Sequence, residues 1–246
     1  MQKLFSFIFL IAVYQLINAQ SFNYLPSPVG DNQILTYSEF TLSYNEEHEQ
    51  ADWVAYELTS DEVYMARERC DCFARDPNVI TGSAGLNDYA SSGFDRGHLS
   101  PAADNKATEQ ANRESFLLSN MSPQLPGFNR GKWEEFEDWV RDQAKSYDTI
   151  YVVTGPVFIN NLGKMGNNEV TIPGYFYKVL LRFDETSVKT IAFLVPHVGA
   201  IGIIKDYIVT VNTIETLTGI DFFPALDNSI ENRVESQFEP GQWGLN

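Results

Sequence analysis

The chain has 246 residues, 43% of them apolar, a formal net charge of −16 and only two cysteines. Length and apolar content supply ample material for a buried core, so stability must come from that core and not from a disulfide framework. The acidity disfavours long-range attraction to polyanions, which handicaps any nucleic-acid partner from the start.

Residues 1–19 read as a secretory leader. Lys3 gives the positive start, Leu4 to Val13 the apolar run and Ala19 the small residue before a cut ahead of Gln20. The apolar run is too short to span a bilayer well, and no later segment is long and apolar enough. The expected destination is secreted or periplasmic. Loss of Lys3 makes the mature chain one unit more acidic. The remainder, 20–246, shows no linker, repeat or low-complexity tract and is expected to form one domain.

Ile34 to Tyr44 and Ala51 to Thr59 are aromatic and aliphatic in partial alternation around the polar loop NEEHEQ, which predicts two strands joined as a hairpin. Further strands are predicted at Thr149 to Val153, Tyr175 to Phe183 and Val188 to Val195, the last two joined by a DETS turn. The sheet is expected to be largely antiparallel. One helix is predicted after Asn129, where Trp133, Phe136, Val140, Ala144 and Tyr147 form an apolar stripe. A shorter one starts at about Asn212, with Asn212 and Glu215 as a capping box and Gly219 as the stop. Helices and strands mixed without βαβ alternation predict an α+β class.

Cys70 and Cys72 are one residue apart, where a mutual disulfide is expected to be badly strained. Free thiols, intermolecular partners, weak metal ligands or merely small loop residues remain open.

At about 100° per residue, Asn129 and Glu137 fall roughly 40° to either side of Trp133 on the apolar stripe. A carboxylate there is costly unless it is paired or serves a metal. Asn129 as a simple helix cap and Glu137 in an edge ion pair is the plainer alternative. Eight helical residues separate the two by roughly 12 Å along the axis, so one could bind an ion directly and the other only through a coordinated water. Such a wet, oxygen-only site suits Mg²⁺.

Of three histidines, His48 reads as a solvated loop residue and His197 as a packed or capping one. His98, in DRGH beside Arg96 and Gly97, is placed to accept a proton near neutral pH, although a lone DRGH is as readily a turn. The window Asp95 to Lys132 holds five Lys/Arg against four Asp/Glu, nearly neutral in an acidic chain.

Three ordered segments, FDRGHLSPAADN, SNMSPQ and FNRGKWEEFE, resemble the DNA/RNA non-specific endonuclease family, which includes secreted bacterial sugar-nonspecific nucleases and mitochondrial endonuclease G. VAYELT, VVTGPVF, TIPGYFYKV and TGIDFF look like family segments too, so the resemblance covers most of the mature chain. It implies a ββα-metal fold with the metal where a strand pair meets a helix, and sequence-independent hydrolysis of DNA and RNA to 5′-phosphate products. By the same resemblance, His98 is the general base, Asn129 the direct Mg²⁺ ligand (Mn²⁺ or another divalent cation substituting), and Glu137 a carboxylate reaching the ion through water. Asn120 supports the site and Arg96 holds phosphate. A further arginine belongs upstream, where Arg67, Arg69 and Arg75 compete and Arg69 is favoured. Asp95 is read only as orienting the turn.

The intact set of His98, Asn129 and Glu137 separates an enzyme from a catalytically silent binding module on the same fold. A phosphatase-like hydrolase would need more direct carboxylate or histidine ligands. Neither an inhibitor protein nor the oligomeric state, a homodimer included, is legible.

Overall fold

The computed structural model describes residues 22–184, 187–198 and 202–246, so the leader, and Glu185 and Thr186 of the DETS turn, lie outside the described residues. Among the described residues eleven strands are present: β1 (Gln33–Thr36), β2 (Thr41–Asn45), β3 (Gln50–Thr59), β4 (Asp95–His98), β5 (Met121–Gln124), β6 (Thr149–Val157), β7 (Lys164–Met165), β8 (Val170–Thr171), β9 (Tyr175–Phe183), β10 (Val188–Pro196) and β11 (Ile208–Val209). Seven form one sheet in the order β1-β2-β3-β6-β9-β10-β11, with every neighbouring pair antiparallel. The longer helices are α1 (Glu134–Tyr147), α2 (Val211–Thr218) and α3 (Asn228–Glu235).

Alternation along each strand sorts side chains onto two faces. Val54, Tyr56, Ile150, Val152, Phe176, Leu180 and Phe193 share one core with Trp133, Phe136, Val140 and Ala144, the stripe of α1. Trp53, Ala55, Val153, Tyr177, Val179, Leu181 and Ala192 point the other way, into a second core with Val211 and Ile214 of α2 and Val234 of α3. Both faces are therefore covered, which is why the central strands are apolar almost throughout. The separate strand pair β4–β5 contributes Met121 to a small third cluster with Leu118, Tyr89, Met165 and Val170.

The β2–β3 hairpin is as expected, but Ile34 to Tyr44 is not one strand. It folds back at residues 37–40, where Tyr37 N–H donates to Phe40 O, and pairs with itself as β1–β2. α2 begins two residues earlier than its capping box suggested. Thr210 is the cap, accepting from Thr213 N–H, while Glu215 accepts from Phe222 N–H; Gly219 ends the helix with φ +73°, as expected. His48 is no solvated loop residue: its ring stacks on Phe158 at 3.6 Å between centroids, and its Nδ1 lies 3.0 Å from Thr171 Oγ1. His197 is packed as expected, with Leu125 N–H donating to its Nε2 and its Nδ1 bonded to Pro173 O.

Cys70 and Cys72 are joined in a disulfide, with Cα atoms 5.1 Å apart. The expected obstacle is met by the backbone: Asp71 between them turns into the left-handed region at φ +48°.

Candidate active site

DRGH is neither a turn nor exposed. It is strand β4, and each residue faces a partner in β5, Asp95 opposite Gln124 and His98 opposite Met121. Gly97 is required by that pairing, since a Cβ there would overlap the buried Gln124 side chain.

A cavity of about 460 Å³ opens between β4, the segment that precedes it and the start of α1, and it is lined by Arg69, Asp95, Arg96, His98, Asn129 and Glu137 among others. Of the three competing arginines, Arg69 reaches this cavity. Arg67 instead donates to Lys106 O, and Arg75 caps Ser83 O.

His98 is buried within an aromatic box. Its ring meets Phe116 edge-on at 4.8 Å and Phe73 at 5.8 Å. The guanidinium of Arg69 lies 4.7 Å over Phe116, and that of Arg96 4.2 Å over Phe73, so two cations bracket the imidazole without touching it. Burial, then Arg69 and Arg96, push the His98 pKa down to about 3, which keeps the ring neutral. Its Nε2 is bonded to no protein group.

Asn120 does not line the cavity. Its side chain is buried and satisfied by backbone: Oδ1 accepts from Ser100 N–H, and Nδ2 donates to Ser100 O and Ser115 O. These bonds anchor the backbone at Ser100, two residues past His98, to the segment that carries Asn120. The chain's exit from β4 is also tied to α1, because Trp133 Nε1 donates to His98 O at 3.3 Å.

Asn129 lies in a π-helical turn, Phe128–Trp133, that leads into α1. This corrects two readings of the helix: Asn129 is not its cap, and the regular 100° phase used to align it with Glu137 does not hold across a wider turn. π turns are frequent at functional sites because they redirect one side chain out of register. Asn129 Nδ2 donates to Asp95 Oδ2 at 2.9 Å, and this assigns the amide and leaves Oδ1 as its free end. The same carboxylate receives Arg130 through two bonds of 2.8 and 2.7 Å. Asp95 thus orients Asn129 and not a turn, as its sequence reading had it. Partial burial would raise its pKa, but the bonds from Arg130 and Asn129 and the nearby charges hold it below the usual carboxylate range.

On the opposite wall, Glu137 shares α1 with Arg141, which donates to the buried Asp104 at 2.9 Å. Asp104 also accepts from Tyr56 OH. Lys178, in the centre of β9, is fully buried with its Nζ 4.2 Å from the Trp133 ring and no hydrogen-bond partner. Burial raises the pKa of Glu137, opposed by Lys178, and burial lowers that of Lys178, opposed by Glu137 and Asp104. Sequence reasoning missed Arg141, Asp104 and Lys178. The available signals were the i, i+4 spacing of Glu137 and Arg141, and a lysine amid the apolar run YFYKVLL.

The donor set fits a hydrated divalent cation. It is oxygen-only, Asn129 offers Oδ1, and among the described residues no protein group hydrogen-bonds to or forms an ion pair with Glu137. Equally, no group of three His, Cys, Asp or Glu capable of holding a metal occurs among the described residues, so an ion here must keep much of its water.

The sequence profile of the DNA/RNA non-specific endonuclease family matches residues 18–229. The chain is 32% identical over 221 residues to a nuclease of Nostoc sp. (strain PCC 7120), covering 85% of this chain and 80% of that protein. It is 33% identical to nuclease C1 of Cunninghamella echinulata var. echinulata, covering 86% and 91%. With the mitochondrial nuclease EXOG of Danio rerio it shares 36% identity across 77% of this chain and 60% of that longer protein. A crystal structure of the EndoG/EndoGI complex, described as showing the mechanism of EndoG inhibition, contains a chain that superimposes with a TM-score of 0.76 at 28% identity, over 82% of this chain and 89% of the other. EndoG is a ββα-metal nuclease, and β4, β5 and the helical segment from Phe128 form the corresponding ββα unit here. With the family profile running through the whole seven-stranded sheet and every wall of the cavity, the chain belongs to the DNA/RNA non-specific endonuclease family of hydrolytic nucleases.

Proposed function

We propose that the protein is an exported, Mg²⁺-dependent endonuclease that cuts DNA and RNA with little sequence preference and leaves 5′-phosphate and 3′-hydroxyl ends. The observation that carries this reading is a buried, neutral His98 set between two guanidiniums in the cavity that also holds Asn129 and Glu137.

Asn129 Oδ1 would hold the cation directly and Glu137 through water. Bound there, Mg²⁺ supplies Lewis-acid stabilisation of the charge that develops on the phosphate. His98 accepts the proton of the attacking water, whose oxygen bonds to phosphorus as the bond to the 3′-oxygen breaks; that oxygen is then protonated by solvent. Arg96 and Arg69 face the phosphate and offset its charge. Phe73 and Phe116 keep the imidazole dry and neutral, and Asn120 and Trp133 fix its backbone. Binding is weak because an acidic surface offers few cationic contacts, salt-sensitive because those few contacts are electrostatic, and non-specific because among the described residues no basic array reads the bases.

Digestion of plasmid DNA and RNA by the mature chain tests this, with Mg²⁺, with EDTA, and with His98→Ala. Wild type with Mg²⁺ is expected to cut both, EDTA to abolish cutting, and His98→Ala to lose roughly 10²–10⁴ in rate while still melting cooperatively. Intact substrates with wild type and Mg²⁺, or equal cutting by the variant, would overturn the reading.

A further inference from the structure

The cavity's guanidiniums are not equally engaged. Arg130 and Arg141 are held by Asp95 and Asp104, and Arg96 lies over Phe73. Arg69 is different, because its partner comes from two residues away: Asp71 accepts from its Nε at 2.6 Å, with the side chains 51% and 66% exposed. Both residues line the cavity.

Asp71 is also held in an unusual way. It stands between the two half-cystines Cys70 and Cys72, at φ +48°, a conformation that non-glycine residues adopt uncommonly. The loop is pinned at its other side by Asn112, whose Oδ1 accepts from Cys70 N–H at 3.1 Å. A short covalent ring therefore presents a carboxylate to an arginine that faces the cavity. A phosphodiester oxygen and a carboxylate oxygen make the same demand on a guanidinium, a charge-assisted bond along an N–H direction. A phosphate that reaches Arg69 Nε must displace Asp71.

We propose that Asp71, presented by the Cys70–Cys72 ring, is an internal competitor for substrate phosphate at Arg69 and sets how tightly the enzyme holds nucleic acid. This rests on the reading that phosphate reaches Arg69. The carboxylate weakens the hold on phosphate equally in the ground state and the transition state and leaves the groups that move protons untouched. It therefore acts on KM and not on kcat.

The test uses the mature chain as wild type, Asp71→Asn, Glu68→Gln, Arg69→Ala and Arg69→Ala/Asp71→Asn. Binding of a fluorescein-labelled 20-nucleotide single-stranded DNA is followed by anisotropy in EDTA, where no turnover occurs. Cleavage kinetics are measured separately with Mg²⁺. Glu68 is exposed and outside the cavity, so its variant reports the effect of removing one negative charge nearby. Asp71→Asn is expected to tighten binding and lower KM by roughly five- to tenfold, with kcat changed by less than about twofold and Glu68→Gln shifting binding by less than about twofold. In the Arg69→Ala background the Asp71→Asn gain should vanish. A Cys70→Ser/Cys72→Ser variant should recover part of that gain, since an unringed Asp71 samples positions away from Arg69.

Equal effects of Asp71→Asn and Glu68→Gln, or a gain that persists without Arg69, would overturn the proposal. Wild-type binding by the serine variant would overturn the part assigned to the ring. Failure of the nuclease reading is distinguished by wild type that does not cut with Mg²⁺, because the anisotropy comparison in EDTA does not depend on cutting.

Discussion

Two aspartate–arginine pairs contribute to the wall of the cavity, and they share their chemistry but not their setting. Asp95 and Asp104 both come from the stretch around DRGH, and Arg130 and Arg141 both come from the helical segment that follows Phe128. The first pair stands at the mouth of the cavity, with Arg130 71% exposed, while the second is inside, at 14% and 1%. An exposed pair is screened and contributes little to stability, so Asp95–Arg130 serves to aim Asn129. A buried pair is unforgiving because either partner alone is an unpaired charge in a poor solvent. The outer pair sets geometry, and the inner pair holds the fold beneath Glu137.

The largest expected effect breaks the inner pair. Arg141→Ala leaves Asp104 buried without its ion-pair partner and should lower unfolding stability by about 3–5 kcal/mol, measured by denaturant titration. Replacing both, as Asp104→Leu/Arg141→Met, should cost less than the single change. If the single variant unfolds at the wild-type midpoint, the two pairs do not differ in the way described.

Next, the outer pair should matter to the cation and not to the fold. Asp95→Ala frees the Asn129 amide to rotate and is expected to raise the Mg²⁺ concentration for half-maximal cleavage by about 10–100-fold, with an unchanged denaturant midpoint. An unchanged Mg²⁺ requirement would show that Asn129 needs no aiming.

A smaller effect concerns pH. Burial and two guanidiniums push His98 down to about 3, so it stays neutral in the folded protein as pH falls from 8 to 5, and cleavage should show no inflection belonging to it there. The unfolded chain takes up that proton at the ordinary value of about 6.5, so the stability His98 contributes is full above that pH and declines as pH drops toward about 3. An imidazole NMR titration of His98 with its midpoint near 6.5 would contradict this. Smallest of all, Arg130→Ala should leave the denaturant midpoint almost unmoved, and a substantial drop there would mean the outer pair carries structural weight after all.

Much of the frame was legible in sequence because periodicity is local. The α1 stripe and the strands β3, β6, β9 and β10 declare themselves within ten residues. DRGH, Asn129 and Glu137 were found by their order along the chain, and the cavity does gather them. What stayed hidden depends on contacts across long separations or on backbone choices that composition does not mark. Asp104 meets Arg141 across 37 residues, the carboxylates of Glu137 and Asp104 that oppose the effect of burial on Lys178 come from distant parts of the chain, and nothing in FNRGKW announces a π turn. The Cys70–Cys72 bond stayed open in the sequence because one intervening residue does not say which backbone conformation Asp71 adopts.

Trp133 touches both walls at once: its indole N–H holds the carbonyl of His98, and its ring face lies under the ammonium of Lys178. A tryptophan emits according to the charges and bonds around it. Measured against a Trp133→Phe variant that keeps Trp53, Trp139 and Trp243, its emission is an optical gauge of the site, by which a cation settling near Glu137, or the loss of Lys178, can be followed in a cuvette with neither label nor substrate.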